Sequence, residues 1–377
     1  KSLKANTYPL KVLNCTNCNH YQLSYQVNPK ILYATDYTYL SGIARSFGKH
    51  FEIYSDWILK KCKLKKNSLV LDIGSNDGTC LSYFKKNKMK VLGIDPADLP
   101  CKIANNNKIK TIKAFFNKNS AKKINDEYGK IDFITSHNVL AHIGDINQTF
   151  ENIFYLLKNN GYFCFEVGYF LKVLEKNYFD TIYHEHLDYH HAHPLVKFLV
   201  SIGFSVVHIE TNKIQGGTLR MLCKKEKKIS ISDQVNNFLK KEKKTKIFNK
   251  YFIKNWEKLI YQNCYLLNKI IIEQLKSKKI IIGYGAPTKA TLLIKLSKIN
   301  HKMINYIIED NHLKINKYIP KTAIKIIGNE KLKKLNPNSI VLFAWNFYKD
   351  IIIKLKKDKI KYINIIVPAP RVRKIKL

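Results

Sequence analysis

The stretch SLVLDIGSNDGTCL, Ser68 to Leu81, decides the fold class of this chain. It begins as a short apolar run typical of a buried strand, continues through a turn that contains Gly74 and Gly78, and then reads as the start of a helix. A strand, a glycine turn and a helix in this order form the ligand-binding edge of open α/β sheets. The spacing G-x-x-x-G differs from the G-x-G-x-x-G of dinucleotide-binding folds, so it indicates another ligand.

Further strand candidates follow and alternate with amphipathic helical stretches. They are VLGIDPAD (91–98), IDFITSHNVLAHI (131–143) and GYFCFEVG (161–168). This alternation predicts a parallel, doubly wound sheet. GFSVVHIETN (203–212) and GGTLRMLCKK (216–225) lie close together and predict an antiparallel pair at its end. The fold class is therefore α/β.

Four segments are expected from this pattern. They are a cysteine-containing N-terminal segment (1–55), the domain with the doubly wound sheet (56–225), a lysine-rich helical connector (226–277) and a second, smaller, Rossmann-like α/β domain (278–377). The last of these opens with KKIIIGYGAPTKATLL (278–293), which repeats the order of strand, glycine turn and helix. No residue-level repeat relates the two α/β domains.

Acidic residues near the first glycine turn indicate the ligand. Asp95 ends the next strand, about twenty residues after the turn, where a carboxylate accepts hydrogen bonds from two ribose hydroxyls. Asp72 or Asp77 is placed to meet a cationic end, and His137 and Asn138 would flank the ligand. Together these features fit S-adenosylmethionine (SAM) and a class I SAM-methyltransferase-like fold. The alternative is a plain strand-to-helix turn in which Asp95 caps a helix.

The net charge of +38 does not by itself indicate a nucleic-acid partner. Arginine, whose bidentate fork reads phosphates and bases, occurs only at Arg45, Arg220, Arg371 and Arg373, and the lysines are spread along the chain. HNVLAH (137–142) also lacks the Pro-Cys or D/N-P-P-Y motif of nucleic-acid methyltransferases. We expect no nucleic-acid partner and, without an apolar run of about eighteen residues, no membrane span. The widely spaced cysteines favour a reduced, cytoplasmic protein.

The stretch FDTIYHEHLDYHHAHP (179–194) contains five of the twelve histidines. A metal site is one interpretation, because His186 and His190 would share a helix face, but no third ligand has a defined place. Proton transfer is a second interpretation, and it requires only one imidazole beside a polar group. His186 directly follows Glu185, and Tyr183 is a nearby hydrogen-bond donor. A solvated loop is the third interpretation. Residues 188–191 are expected at the surface or on the wall of a cleft.

Several motifs, in this order, resemble the nucleotide-sugar C-methyltransferases of deoxysugar pathways, which methylate carbon 3 of a 4-keto hexose. They are CTNCNHYQLSYQV, DYTYLSG, LDIGSNDGTCL, NVLAHI, FDTIYHEH, QGGTLR, GYGAPTKAT and LFAWN, and they run through nearly the whole chain. The resemblance implies that His186 removes the C3 proton and that Glu185, Tyr183 and His142 are its neighbours. It also implies an N-terminal tyrosine in the active site, for which Tyr37 matches best and Tyr39 is the alternative. The cofactor set would include Gly74, Asn76, Asp77, Gly78 and Asp95.

Two departures from this family affect the expected ligands. The family's N-terminal domain holds zinc with two cysteine pairs, whereas only Cys15 and Cys18 are present here, which is half of a tetrahedral site. The family's K-Q-G segment is replaced by residues 314–316, Lys-Ile-Asn, so the base or diphosphate preference stays open.

The resulting hypothesis is a monomeric SAM-dependent C-methyltransferase whose partner is a nucleotide-diphosphate sugar bound in a cleft between the two α/β domains. Gly285, with Gly283 nearby, Lys289 and Arg220 are candidates for substrate binding. An O- or N-methyltransferase of a small metabolite and a catalytically silent binding protein are the alternatives.

Overall fold

The computed structural model describes residues 2–33, 40–43, 45–360 and 363–377. It divides into two compact units. The central unit comprises Pro9–Lys172 and His184–Phe248, and the C-terminal unit comprises Lys1–Tyr8, Val173–Tyr183 and Asn249–Leu377. Among the described helices, none has the length and apolar character needed to cross a bilayer.

The central unit is built around a seven-stranded sheet. The strands are β1 (Val12–Asn14), β2 (Tyr21–Leu23), β3 (Leu69–Ile73), β4 (Lys90–Asp95), β5 (Thr111–Lys113), β6 (Ile131–His137), β7 (Leu157–Gly168), β8 (Asp188–Tyr189), β9 (Phe204–Asn212) and β10 (Thr218–Lys225). The helices are α1 (Pro29–Tyr33), α2 (Arg45–Cys62), α3 (Thr79–Lys86), α4 (Asp98–Asn106), α5 (Lys118–Tyr128), α6 (Ile146–Leu156), α7 (Phe170–Lys176), which continues into the C-terminal unit, α8 (Ala192–Ile202) and α9 (Asp233–Lys243).

The order of the large sheet is β5-β4-β3-β6-β7-β10-β9. The first five strands in this order are parallel, and β10 is antiparallel to both β7 and β9. The doubly wound sheet and its antiparallel end, expected from the sequence, are confirmed. Because β3 is central, the carboxyl ends of β3, β4 and β6 meet at one edge, which is where such sheets bind ligands.

The core beside this sheet includes α2, which the expected boundary at residues 55 and 56 would have cut in two. Phe51, Tyr54 and Ile58 lie on one face of α2 and are buried against residues of the sheet and of α3, such as Phe84 and Phe133. The spacing of three and four residues gives α2 an apolar stripe that must be covered. The helix therefore belongs to the unit that contains the sheet.

The N-terminal segment also differs from the separate domain expected over 1–55. From Pro9 onward it belongs to the central unit. Strands β1, β2 and β8 form a small antiparallel sheet in which Tyr21 of β2 pairs with Tyr189 of β8. This pairing joins the histidine-rich stretch to the start of the chain, and no local sequence pattern reveals a contact over that distance.

The C-terminal unit contains a six-stranded sheet of order β13-β12-β11-β14-β15-β16. Its strands are β11 (Ile281–Tyr284), β12 (Tyr306–Glu309), β13 (Lys325–Gly328), β14 (Ser339–Leu342), β15 (Asn364–Val367) and β16 (Arg373–Lys376), and its helices are α10 (Lys250–Lys276), α11 (Ala290–Leu296), α12 (Leu332–Leu335) and α13 (Tyr348–Lys357). Only β16 is antiparallel to its neighbour. The expected second α/β domain is present. The expected connector is divided, because α9 lies in the central unit and α10 in this one.

Candidate active site

The glycine turn after β3 has left-handed backbone angles at its two glycines, a conformation that favours glycine. Gly74 and Gly78 have φ values of +72° and +76°. A Cβ atom at Gly74 would lie 2.2 Å from a methyl carbon of Val139, so the position excludes any side chain. The Gly74 amide donates a 2.8 Å hydrogen bond to the Ile94 carbonyl at the end of β4. The turn is thus held at the carboxyl edge of the sheet.

Asp95 joins the turn to the next strand. Its Oδ2 accepts a 2.9 Å hydrogen bond from the Asn76 amide, and its Oδ1 accepts one of the same length from the Ala97 amide. Burial raises the pKa of the Asp95 carboxyl above its ordinary value, against these hydrogen bonds. Each carboxylate oxygen has a further lone pair. Asp95 can therefore hold the turn and still accept from the two hydroxyls of a ribose.

Asp72 offers a second acidic contact for a ligand. Its carboxyl is buried, and its Oδ1 has no hydrogen-bond partner among the residues that the structure describes. Burial, with a smaller effect from Asp95, raises the pKa of Asp72 well above the ordinary value. A buried carboxylate without a donor is costly, and an ammonium group would satisfy it. SAM carries both an ammonium group and a ribose, so Asp72 and Asp95 fit this cofactor.

The side chains of Asn76 and Asp77 bind a turn of the N-terminal segment. Asn76 Oδ1 accepts a 2.9 Å hydrogen bond from the Ser41 amide, and Asp77 Oδ2 accepts a 2.7 Å hydrogen bond from the Gly42 amide. The Ser41–Ile43 turn therefore packs on the glycine turn. The segment just before it contains Tyr37, which was expected in the active site, but residues 34–39 lie outside the described part of the chain.

Two histidines meet at the same edge of the sheet. His142, in the short turn Leu140–His142 after β6, lies with its ring centroid 5.0 Å from that of His186, and the two rings are almost perpendicular. The Leu187 amide donates to the Ala141 carbonyl at 2.6 Å and holds the two segments together. The expected neighbours His142 and His186 thus lie side by side. Tyr183 ends a segment that belongs to the C-terminal unit. Its role as a hydrogen-bond donor in the active site stays a prediction.

Tyr33 also belongs to this site, although the sequence motifs did not indicate it. Its hydroxyl oxygen lies 2.7 Å from His142 Nδ1 and 3.1 Å from the carbonyl oxygen of Glu185. The sequence feature that could have indicated Tyr33 is the tyrosine-dense segment ILYATDYTYLSG, of which Tyr33 is the first tyrosine. Tyr37 and Tyr39 match a family motif, whereas Tyr33 is identified only by its contact with His142.

Burial keeps the histidines around this pair neutral. Burial, with a smaller contribution from His186, lowers the pKa of His142 to about 3. Burial likewise lowers the pKa of His190 to about 4. Tyr189, His190 and His191 are buried rather than at the surface, because β8 and the start of α8 are covered by β2 and α9.

We predict that acid destabilises the protein through His190. The pKa is lower in the folded state, about 4, than the ordinary 6.5 of an unfolded chain, so the unfolded chain binds the proton first. This contribution to stability is complete above pH 6.5 and declines as the pH falls toward 4, by about 2 kcal/mol at pH 5. Urea unfolding of the wild type and of His190→Phe, at pH 7.5 and pH 5, measures it. His190→Phe should lose less stability between the two pH values, and equal losses would contradict the prediction.

Glu166 is the centre of a buried network that contains two residues expected to contact ligands. Its Oε2 accepts from His50 Nε2 at 2.7 Å and His137 Nδ1 at 3.1 Å, and its Oε1 accepts from Arg220 Nε at 2.7 Å and Asn212 Nδ2 at 3.0 Å. The ring of His137 and the guanidinium of Arg220 therefore bind a carboxylate inside the unit. The expected contacts of His137 with the cofactor and of Arg220 with the substrate stay predictions.

The same three residues also have the spacing of a metal site, since ligand atoms of His50, His137 and Glu166 lie within 4.8 Å of one another. In the network described, the carboxylate can only accept, so both facing histidine nitrogens carry protons. Arg220 adds a positive charge on the same carboxylate. Burial alone would raise the pKa of Glu166, but hydrogen bonds from His137 and His50 hold it well below its usual range.

Glu242 organises the end of the histidine-rich stretch in a similar way. It accepts from the backbone amides of Ala192 at 2.8 Å and His193 at 2.9 Å, and from Nδ1 of His193 at 2.7 Å. These amides belong to the first turn of α8, whose positive end favours a carboxylate and disfavours a cation. Glu242 therefore caps α8 and also accepts from the His193 ring, although the spacing of His191, His193 and Glu242 alone would allow a metal.

Cys15 and Cys18 form the half site expected for zinc. The amides of Cys18 and Asn17 donate toward the Cys15 sulfur and lower the pKa of its thiol, which is how a metal-binding turn prepares a thiolate. Among the residues described, no further histidine, cysteine or carboxylate joins them as a third ligand. His20 instead places its Nε2 2.7 Å from an Asp188 carboxylate oxygen.

The C-terminal unit repeats the arrangement of glycine turn and acidic residue. Gly285 has a φ of +82°, and its amide donates to the Ile308 carbonyl at 2.7 Å. The Ala286 amide donates to Oε2 of Glu309, which ends β12, at 2.7 Å, much as the Asn76 amide donates to Asp95 in the central unit. A nucleoside-binding edge has this organisation.

Lys289, a candidate for substrate binding, has partners within the C-terminal unit. Its Nζ lies 3.2 Å from Oδ2 of Asp180 and 4.4 Å from the centroid of the Trp345 ring. Asp180 is buried and also accepts a hydrogen bond from the Trp345 indole. Three of the quoted motifs, FDTIYHEH, GYGAPTKAT and LFAWN, thus meet at this lysine and aspartate.

Comparisons with known proteins agree with this arrangement. Residues 47–209 match the model of a methyltransferase domain, and residues 213–370 match that of a C-methyltransferase C-terminal domain. The C-methyltransferase NovU of Streptomyces niveus is 28% identical over 98% of this chain and 88% of its own length.

Solved structures with similar parts include the magnesium protoporphyrin IX methyltransferase of Synechocystis with bound SAH. It has a TM-score of 0.38 and 14% identity, and the match covers 47% of this chain and 82% of that one. The plantazolicin methyltransferase BpumL with SAH has a TM-score of 0.38 and 17% identity, over 47% of this chain and 82% of that one.

The sheet order, the glycine turn with Asp95 and the family matches define a class I SAM-dependent methyltransferase. Within that class, residues 213–370 match the C-terminal domain of C-methyltransferases, and the chain as a whole is similar to the C-methyltransferase NovU. The family resemblance expected from the motifs is confirmed at this level.

Proposed function

We propose that this enzyme methylates carbon 3 of a nucleotide-linked 4-keto sugar. The observation that carries the proposal is the pair of His142 and His186, at 5.0 Å, in the unit whose glycine turn fits SAM. A carbon atom becomes a nucleophile only when a base removes its proton, whereas a hydroxyl or amine already has a lone pair. A base beside the cofactor turn is therefore the specific requirement of carbon methylation.

In the proposed reaction His186 removes the proton from C3. The 4-keto group makes this proton acidic, and the electron pair of the C3–H bond forms an enolate with its negative charge on the keto oxygen. His142 is neutral, so it does not repel the positive charge that His186 gains with the proton. SAM, when bound, would supply the methyl group: C3 would form the new carbon–carbon bond as the bond from the methyl carbon to sulfur breaks, and the sulfur would keep that electron pair as S-adenosylhomocysteine.

The remaining roles follow from the chemistry of the enolate and of the nucleotide. The hydroxyl of Tyr183 or Tyr37, or the imidazole of His142, would donate to the enolate oxygen, which is where charge develops. Glu185 would orient the His186 imidazole. The turn at Gly285, with Lys289 near it, would contact the nucleotide part of the substrate. Structural zinc is not included, because Cys15 and Cys18 are two ligands of the four that such a site uses.

The decisive experiment follows C3 of the substrate in heavy water. The enzyme is incubated with a dTDP-4-keto-6-deoxyhexose in D₂O, first without and then with SAM, and the sugar is analysed by NMR and mass spectrometry. We expect deuterium at C3 in the first case and a methyl carbon bonded to C3 in the second. A methyl group on oxygen or nitrogen, or neither exchange nor methylation with any keto sugar, would refute the proposal.

A further inference from the structure

The contact between Tyr33 and His142 determines which nitrogen of His142 carries its proton. The Tyr33 oxygen lies 3.1 Å from the carbonyl oxygen of Glu185, which can only accept a hydrogen bond. The same oxygen lies 2.7 Å from Nδ1 of His142. A tyrosine hydroxyl has a single proton. If it donates that proton to Glu185, it must accept from His142, whose Nδ1 is then the donor.

We propose that Tyr33 is a positioning residue that holds His142 as the Nδ1–H tautomer, so that Nε2 presents a lone pair. With one proton on a neutral ring, the other nitrogen must be an acceptor. The opposite tautomer would require Tyr33 to turn its proton toward Nδ1 and give up the bond to the Glu185 carbonyl.

The tautomer limits what His142 does in the reaction, and this step rests on the proposed function. The family resemblance allows His142 to be a donor to the enolate oxygen. An unprotonated Nε2 cannot donate, and His142 stays neutral because burial lowers its pKa to about 3. His142 is therefore assigned to accept a hydrogen bond from a hydroxyl of the sugar. The donor to the enolate oxygen must be another group, such as Tyr183 or Tyr37.

Tyr33 also links α1 to the backbone beside the base. The Tyr33 hydroxyl contacts the carbonyl oxygen of Glu185, the residue just before His186. It also contacts the ring of His142, which faces the ring of His186. Loss of the Tyr33 hydroxyl therefore releases both neighbours of the base at once. This predicts an effect on the rate of the chemical step rather than on binding of SAM.

The test is to determine the tautomer of His142 by NMR on the full chain labelled with ¹⁵N-histidine. Long-range ¹H–¹⁵N correlations distinguish a protonated from an unprotonated ring nitrogen, and no substrate is needed. We expect Nδ1 protonated and Nε2 unprotonated in the wild type at pH 7.5, and a mixture of tautomers in Tyr33→Phe. Nε2 protonated in the wild type, or an unchanged pattern in Tyr33→Phe, would overturn the assignment.

Tyr189→Phe is the matched control, because the Tyr189 hydroxyl is buried and has no partner within the described structure. It should leave the His142 pattern unchanged. If the proposed function also holds, Tyr33→Phe should lower kcat about tenfold, equivalent to the loss of about 1.4 kcal/mol, with the KM for SAM unchanged. A changed tautomer with full kcat would remove the role of Tyr33 in the reaction. The NMR result stands whether or not the sugar is the substrate.

Discussion

Replacing His186 by alanine is expected to lower kcat by about 10²- to 10⁴-fold, the usual contribution of a positioned general base. The variant has no imidazole to take the C3 proton, and the neighbouring His142 is a poor substitute because its pKa of about 3 leaves it a weak base. The groups that fit SAM, Asp72 and Asp95, are on other elements and should be unaffected. The measurements are deuterium incorporation at C3, product formation, and the Kd of SAM by calorimetry.

His184→Ala is the matched control for that experiment. His184 lies two residues before His186, and its ring Nε2 lies 3.1 Å from the backbone carbonyl oxygen of Pro9 in an exposed contact. Its loss removes a histidine from the same segment and should leave C3 exchange close to the wild-type rate. Wild-type exchange in His186→Ala would assign the base elsewhere. A parallel loss of SAM affinity would mean that the substitution disturbs the fold.

The second large effect is expected from Glu166→Ala, which should reduce the free energy of unfolding by about 3–5 kcal/mol. Glu166 is almost completely buried, at 1% exposure, and accepts from His50, His137, Arg220 and Asn212. Removal of its carboxylate leaves the Arg220 charge buried beside protonated nitrogens with no acceptor in place of Glu166. Urea unfolding of the purified variant at neutral pH measures the loss.

Glu210→Ala is the control that separates burial from charge. Glu210 also binds Arg220, through Nη1, but its side chain is 37% exposed. Water replaces such a carboxylate at little cost, so the expected loss is within about 1 kcal/mol. Similar losses for the two variants would show that the Glu166 network does not depend on burial. A loss below 1 kcal/mol for Glu166→Ala would contradict the interpretation.

Much of the fold was predictable because its signals are local. The apolar run 69–73 followed by a G-x-x-x-G turn indicates a strand and a ligand-binding turn, and the same reasoning holds for the strand and glycine turn at 281–285. The domain boundaries were less predictable. Helix α2 was divided at residue 55, and α9 and α10 were placed in one connector, because packing against a particular sheet decides where a helix belongs.

The site was predictable to a smaller extent. The motifs indicated His142 and His186, which the structure brings together. They did not indicate Tyr33, whose partner His142 is 109 residues further along the chain, or the enclosure of His137 and Arg220 around Glu166. A sequence motif states which residue types occur in order, but it contains no information on the direction of each side chain.

The sequence by itself determined two α/β sheets with a glycine turn at the edge of each, the acidic Asp95 at the end of the strand that follows the first turn, and a histidine-rich stretch with three possible roles. These features depend on hydrophobic periodicity and on backbone angles that few residues adopt, which are properties of short segments. Only the tertiary structure decided that Glu242 caps α8 with the help of His193, that His190 is buried and neutral, and that Tyr33 contacts the partner of His186. The reason is that hydrogen bonds and burial depend on distances between segments far apart in the chain.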